Sequence, residues 1–123
     1  MVSLAASETR PSAIEAAPRV TAPALHLAAG KDQVSPPVGN AEPIAAGWGG
    51  PVVLRQLPKA THLGFLAGHA LIDSLLAGKP HVGVARLSRA LVTGFLLHAF
   101  FADTNLAELV SRQIKRTELL LSR

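Results

Sequence analysis

An all-α fold is what this sequence predicts: a helical hairpin, long and apolar enough to suit a membrane, an amphipathic C-terminal helix, and a long irregular N-terminal arm. Three observations carry that expectation. Eight of the nine prolines lie at or before Pro58. Leu, Ile, Val and Phe number 13 in residues 1–57 and 24 in residues 58–123, so the apolar mass is in the second half. Small residues recur every four positions there, at Ala60, Gly64 and Gly68 and again at Ala90, Gly94 and Ala102. Such ridges let helix backbones approach closely.

Residues 1–57 are taken as an Ala-, Pro- and Gly-rich extended or disordered arm, with four acidic and four basic side chains and no sustained period of 2 or 3.6. Pro11, Pro18, Pro23, Pro36, Pro37, Pro43 and Pro51 interrupt any helix by removing an amide donor. The apolar surface is too small to offset the entropy of ordering, so the arm is expected to order only along a partner. Ser12–Ala17 can form a short helical turn and Pro51–Leu57 a short extended piece. No apolar h-region follows a basic start, which argues against a secretory signal. Glu8 and Glu15, interspersed with Arg10 and Arg19, argue against a transit peptide, so a mature tail is expected.

Residues 58–123 are read as three helices, at about 58–77, 82–102 and 105–121. Pro58 suits a first helical turn, and Gly78 followed by Pro80 a stop. The second helix carries Gly83 near its start and is apolar on every face after Gly94 apart from His98. A helix apolar all round is buried in a large core or in lipid. The third starts with Asp103, Thr104 and Asn105 as cap candidates and Glu108 three residues after Asn105. Leu106, Leu109, Val110, Ile114, Thr117 and Leu120 or Leu121 form its stripe, with Arg112, Lys115, Arg116 and Glu118 opposite.

Folding the first two helices back about residue 81 sets Gly68 against Gly94, Gly64 against His98 and Ala60 against Ala102. The same register brings Asp73 to Arg89, a buried ion pair that lowers the cost of a charge in a dry site. The uncharged runs 60–72 and 90–102 are thirteen residues each, short of the roughly 20 a spanning helix needs, though both extend with one charge admitted.

Chemistry is sparse. Absence of cysteine excludes disulfides, thiolate metal sites and a cysteine nucleophile. No GxSxG accompanies Ser74 or Ser88, and Gly47–Gly50 (GWGG) has no phosphate-loop context, so no catalytic residues, no metal site and no enzyme are expected. Trp48 in that glycine-rich turn is the expected partner anchor. His98, with Gly94 one turn before it, and also His62 and His69, are the candidate axial ligands for haem or a chlorophyll-type pigment. A packed, hydrogen-bonded histidine is the plainer reading, and no cofactor is the leading expectation. The isoelectric point near 10.4 comes with no basic motif or interleaved aromatics, so no nucleic acid is expected. The function expected is therefore that of a small non-catalytic accessory subunit of a larger, membrane-embedded complex. It would sit in or on a membrane, with other subunits and lipid as partners. The alternatives are a haem- or chlorophyll-binding subunit and a soluble helical homo-oligomer.

Overall fold

The computed structural model describes residues 1–65, 81–102 and 112–123. It overturns the all-α expectation. Four strands, β1 (Val2–Leu4), β2 (Ala24–Ala29), β3 (Val52–Leu57) and β4 (Glu118–Ser122), form one sheet in the order β1-β2-β3-β4. The first three run parallel and β4 is antiparallel to β3. Three of the four strands thus lie in the segment expected to be an irregular arm.

Parallel neighbours require crossovers, and the two here carry α1 (Ala13–Ala16) and α2 (Ala41–Ala46), each with a 3-10 turn beside it. Two crossovers of the same hand stepping in the same direction place their helices on one face. Ala17, Ile44, Ala45 and Trp48 accordingly pack on Ala24, Ala28, Val52 and Leu54. The opposite face receives α3 (Val82–Phe101), whose Val84, Leu91 and Phe95 meet Leu25, Leu27, Leu57, Ala60 and Phe65. Strand β2 is therefore covered on both sides, and all six of its residues are buried. A continuous short apolar run is the signature of such a strand.

The prolines mark boundaries. Pro11 precedes α1, Pro23 precedes β2, Pro51 precedes β3 and Pro58 follows it. Pro43 sits in the first turn of α2, where its missing N–H costs little. The pairing of β3 with β4 slips from Leu54↔Leu121 to Arg55↔Leu119. Leu120 is thus the extra residue of a bulge, and it is 42% exposed. Arg55 is fully buried and joins β3 to the chain before β4, its guanidinium donating to Thr117 Oγ1 at 2.6 Å and to the Arg112 carbonyl. Burial pushes its pKa down.

The hairpin and its transmembrane reading are corrected in the same way. Residues 58–65 form turns at the end of β3, so Ala60 and Gly64 lie in a loop, and Gly68 lies outside the described residues. Ala90 is exposed on α3, Gly94 is buried against the sheet, and Ala102 is an exposed left-handed cap with φ 54°. A small-residue ridge on α3 therefore has no helical counterpart at Ala60 or Gly64. Residues 118–122 form β4 at the place expected to end the third helix. Helix α3 is long and apolar enough, by length and composition, to cross a membrane. It lies against the sheet through its Val84, Leu91 and Phe95 stripe.

Candidate active site at the ends of two parallel strands

The carboxyl ends of adjacent parallel strands are where an open α/β sheet places ligands, because loops diverge there. Here β2 and β3 end side by side. The Gly30 N–H donates to the Leu57 carbonyl at 3.0 Å and the Lys31 N–H to the Ala60 carbonyl at 2.8 Å. The approach is close enough that a Cβ on Gly30 would stand 2.7 Å from Pro58 Cα, so only glycine fits. This seam fixes the loop after β2 against the turn after β3.

Each loop contributes one side chain. The Asp32 carboxylate turns back on its own backbone, and Oδ1 accepts from the Val34 N–H at 2.9 Å and the Ser35 N–H at 2.8 Å. Oδ2 lies 2.8 Å from His62 Nδ1. The Asp32 side chain is 0% exposed and the His62 ring 24% exposed. Three donors converge on the buried carboxylate, which a buried charge requires. The carboxylate accepts only, so Nδ1 carries the proton and Nε2 of the neutral ring presents a lone pair. Among the described residues nothing is hydrogen-bonded to Nε2. Next to it in the chain, the Thr61 hydroxyl is buried without a hydrogen-bond partner among the described residues.

A buried carboxylate beside an oriented imidazole, with Nε2 open among the described residues, is an arrangement that can accept and return a proton. The carboxylate holds the tautomer and stabilises the imidazolium formed when Nε2 takes a proton.

No protein-family model matches this chain, and no curated protein matches it. The function therefore rests on the site.

The other residues singled out in the sequence lie elsewhere. His98 is half-buried on α3, in a cavity of about 270 Å³ with Pro23, Val52 and Phe95 at the starting ends of β2 and β3. His62 is at their finishing ends, about 20 Å away along a six-residue strand. The two are not brought together as a two-histidine ligand set, and His69 lies outside the described residues. Among the described residues no cluster of three His, Asp or Glu is placed to hold a metal. Asp73 also lies outside them. Arg89 is exposed, its Nε donating to the Ala85 carbonyl at 3.2 Å. Trp48 is buried, its Nε1 donating to the Ala22 carbonyl at 2.9 Å, so it anchors the α2 face of this chain's own core.

His26 contrasts with His62. It is fully buried in β2, edge-on to Trp48 with ring centroids 5.1 Å apart, and its Nδ1 is 2.6 Å from the Ser3 hydroxyl. Burial, aided by the positive amino terminus, pushes its pKa down to about 4. It is a packed neutral histidine.

Sequence reasoning singles out His62 as a ligand and misses Asp32. The available signal is local: an apolar run ALHLAA, then Gly30, then an acid two residues later, and a second apolar run, VVLRQL, with His62 beyond its end.

Proposed function

We propose that Asp32 and His62 are the orienting carboxylate and the general base of a hydrolytic site acting on an ester or related acyl compound. The observation that carries this reading is the 2.8 Å contact between a fully buried carboxylate and an imidazole whose other nitrogen is open, at the ends of adjacent parallel strands. His62 Nε2 takes the proton of the attacking O–H as its oxygen bonds to the acyl carbon. The imidazolium, held by Asp32, then returns the proton to the leaving group. The attacking oxygen is that of a water. Hydrolases built on largely parallel sheets place acid before histidine in chain order, as here, and that likeness is one of arrangement alone.

The test is hydrolysis of p-nitrophenyl butyrate by the wild-type chain and by His62→Gln. Positioned general bases contribute about 10²- to 10⁴-fold, and a loss within that range is expected. Equal rates for the two proteins overturn the reading.

A second reading concerns location. The last turns of α3 leave Phe100 78% and Phe101 75% exposed, with Leu96 and Leu97 beside them. Exposed apolar residues grouped in this way mark contact surfaces. Arg86 and Arg89 are exposed three to four turns earlier on the same helix, and α3 lying along a surface supports attachment to an anionic membrane. Sedimentation with phosphatidylserine vesicles, lost in Phe100→Ser/Phe101→Ser, is the expected result. A chain that stays in the supernatant refutes it.

A further inference from the structure

A cavity of about 320 Å³ opens beyond the end of β3, between the start of α3 and the turn before β4. Its floor is apolar, formed by Leu57, Val84 and Leu87. Its rim carries Lys59, His81 and Arg116, all exposed, and among the described residues no carboxylate lines it. The size falls at the lower end of small-molecule sites, which run from about 300 to 1,000 Å³. Lys59 is three residues before His62, on the turn whose Ala60 carbonyl is tied to the Asp32 loop.

Arg116 adds an independent observation. Its backbone is left-handed, with φ 71°. An L-residue other than Gly, Asn or Asp loses about 1–2 kcal/mol there, so this position carries a long cationic side chain at a local conformational cost. Non-glycine residues held in that region cluster at binding sites.

We infer that this cavity binds a carboxylate borne on a short apolar chain, the chain lying on Leu57, Val84 and Leu87 and the carboxylate between Lys59 and Arg116. Two cations on the rim above an apolar floor favour an anion with a hydrophobic body over either a neutral alkyl group or a bare ion. The guanidinium offers the paired donors that a carboxylate accepts. The inference deepens, and as to substrate rests on, the hydrolytic reading of Asp32 and His62. The substrate class it names is an ester with a free carboxylate on its acyl chain, such as a half-ester of a dicarboxylic acid.

Binding and turnover are measured separately on the full chain. In the binding arm, His62→Gln is titrated by NMR with heptanoate, 1-heptanol and inorganic phosphate. Heptanoate is expected to saturate, shifting the Gly83 and Val84 amides and binding about tenfold or more tightly than heptanol or phosphate. Lys59→Ala/Arg116→Ala is expected to remove that margin. In the turnover arm, the wild-type chain is expected to hydrolyse mono-p-nitrophenyl glutarate about tenfold faster in kcat/KM than p-nitrophenyl butyrate. Lys59→Ala/Arg116→Ala is expected to lose that preference, with the kcat/KM values for the two esters falling within about twofold of each other. Heptanoate and heptanol binding alike, or heptanoate unaffected by the double variant, overturns the cavity assignment, even if both esters are turned over and the acid–base pair stands. Selective heptanoate binding with no turnover of either ester overturns the hydrolytic reading and leaves the carboxylate site standing.

Discussion

Replacing Asp32 with Asn separates the role of the carboxylate from its shape. The amide is isosteric but has one acceptor and one donor end. Oδ1 of Asp32 serves two backbone N–H groups, from Val34 and Ser35, so the amide oxygen of Asn must stay there. Its NH₂ then faces His62 Nδ1, where the carboxylate Oδ2 had stood at 2.8 Å. A donor opposite Nδ1 forces the imidazole into the other tautomer, with the proton on Nε2. The base is removed while every side chain keeps its place.

The magnitudes come from the three bonds. Hydrogen bonds to a charged acceptor contribute about 1.5–3 kcal/mol and neutral ones about 0.5–1.5, a difference of about 1–1.5 per bond, so Asp32→Asn costs about 3–4.5 kcal/mol of stability over the three. At a urea dependence of about 1–3 kcal/mol per molar, the unfolding midpoint moves down by about 1–4 M. Hydrolysis of p-nitrophenyl butyrate falls by about 10²- to 10⁴-fold, as in His62→Gln, because Nε2 no longer accepts. Nitrogen-15 shifts of His62 report the exchange of tautomers directly. An Asp32→Asn variant that keeps Nδ1–H on His62, or keeps the wild-type rate, refutes the reasoning. Asp32→Ala distinguishes the structural part: it leaves the Val34 and Ser35 donors unpaired, at about 1–3 kcal/mol each, and so destabilises more than Asn does.

Three further outcomes are expected. Gly30→Ala places a Cβ 2.7 Å from Pro58 Cα, which is backbone and must shift; a loss of about 1–3 kcal/mol in urea unfolding is expected, together with slower ester hydrolysis as the Asp32 and His62 loops part. Leu27→Ala empties the centre of the sheet face under α3, where Leu27 is fully buried, and costs about 2–5 kcal/mol in denaturant unfolding. His26 has its folded pKa lowered from 6.5 to about 4, so the unfolded chain binds more protons between those values. Stability is therefore full above pH 6.5, declines as pH falls towards about 4 by an amount on the order of 2–3 kcal/mol, and loses nothing more from this group below that. His26→Gln flattens that acid limb, and an unchanged limb contradicts the assignment.

The parts of the fold legible in the sequence are the long helix, the short turn of α1 within Ser12–Ala17 and the extended β3 within Pro51–Leu57. Residues 82–102 carry a run of helix formers without proline, and the observed α3 spans Val82–Phe101. Its surroundings are not legible from its own pattern. Every face after Gly94 is apolar apart from His98, but that composition does not reveal which side meets a sheet. Phe95 and Gly94 are buried, while Phe100 and Phe101 remain exposed. The sheet is hidden for a different reason. Strand β2 is covered on both faces and so shows neither alternation nor a helical period. Its six residues, ALHLAA, include three alanines, which are poor strand formers, and only its position between two covering layers makes them a strand. Pro11, Pro23, Pro51 and Pro58, in sequence a barrier to order, lie between elements, where they reduce the conformations available to the connecting loops.

The site is hidden by the same ambiguity. Asp32 and His62 are thirty residues apart in sequence, and no spacing rule joins them. They meet because β2 and β3 are adjacent and parallel, in register from Ala24↔Val52 to Ala29↔Leu57, so the loop leaving one strand lies beside the loop leaving the other. Without the sheet, Asp32 is one acid in a polar loop and His62 one histidine among five. With it, the register that buries Leu27 and Leu57 on the α3 face also sets the two loop side chains within one hydrogen bond. Core and site are thus one constraint: a shift of β3 by one residue would exchange the side chains it turns to α2 and to α3 and carry the turn bearing His62 about 3.3 Å away from Asp32.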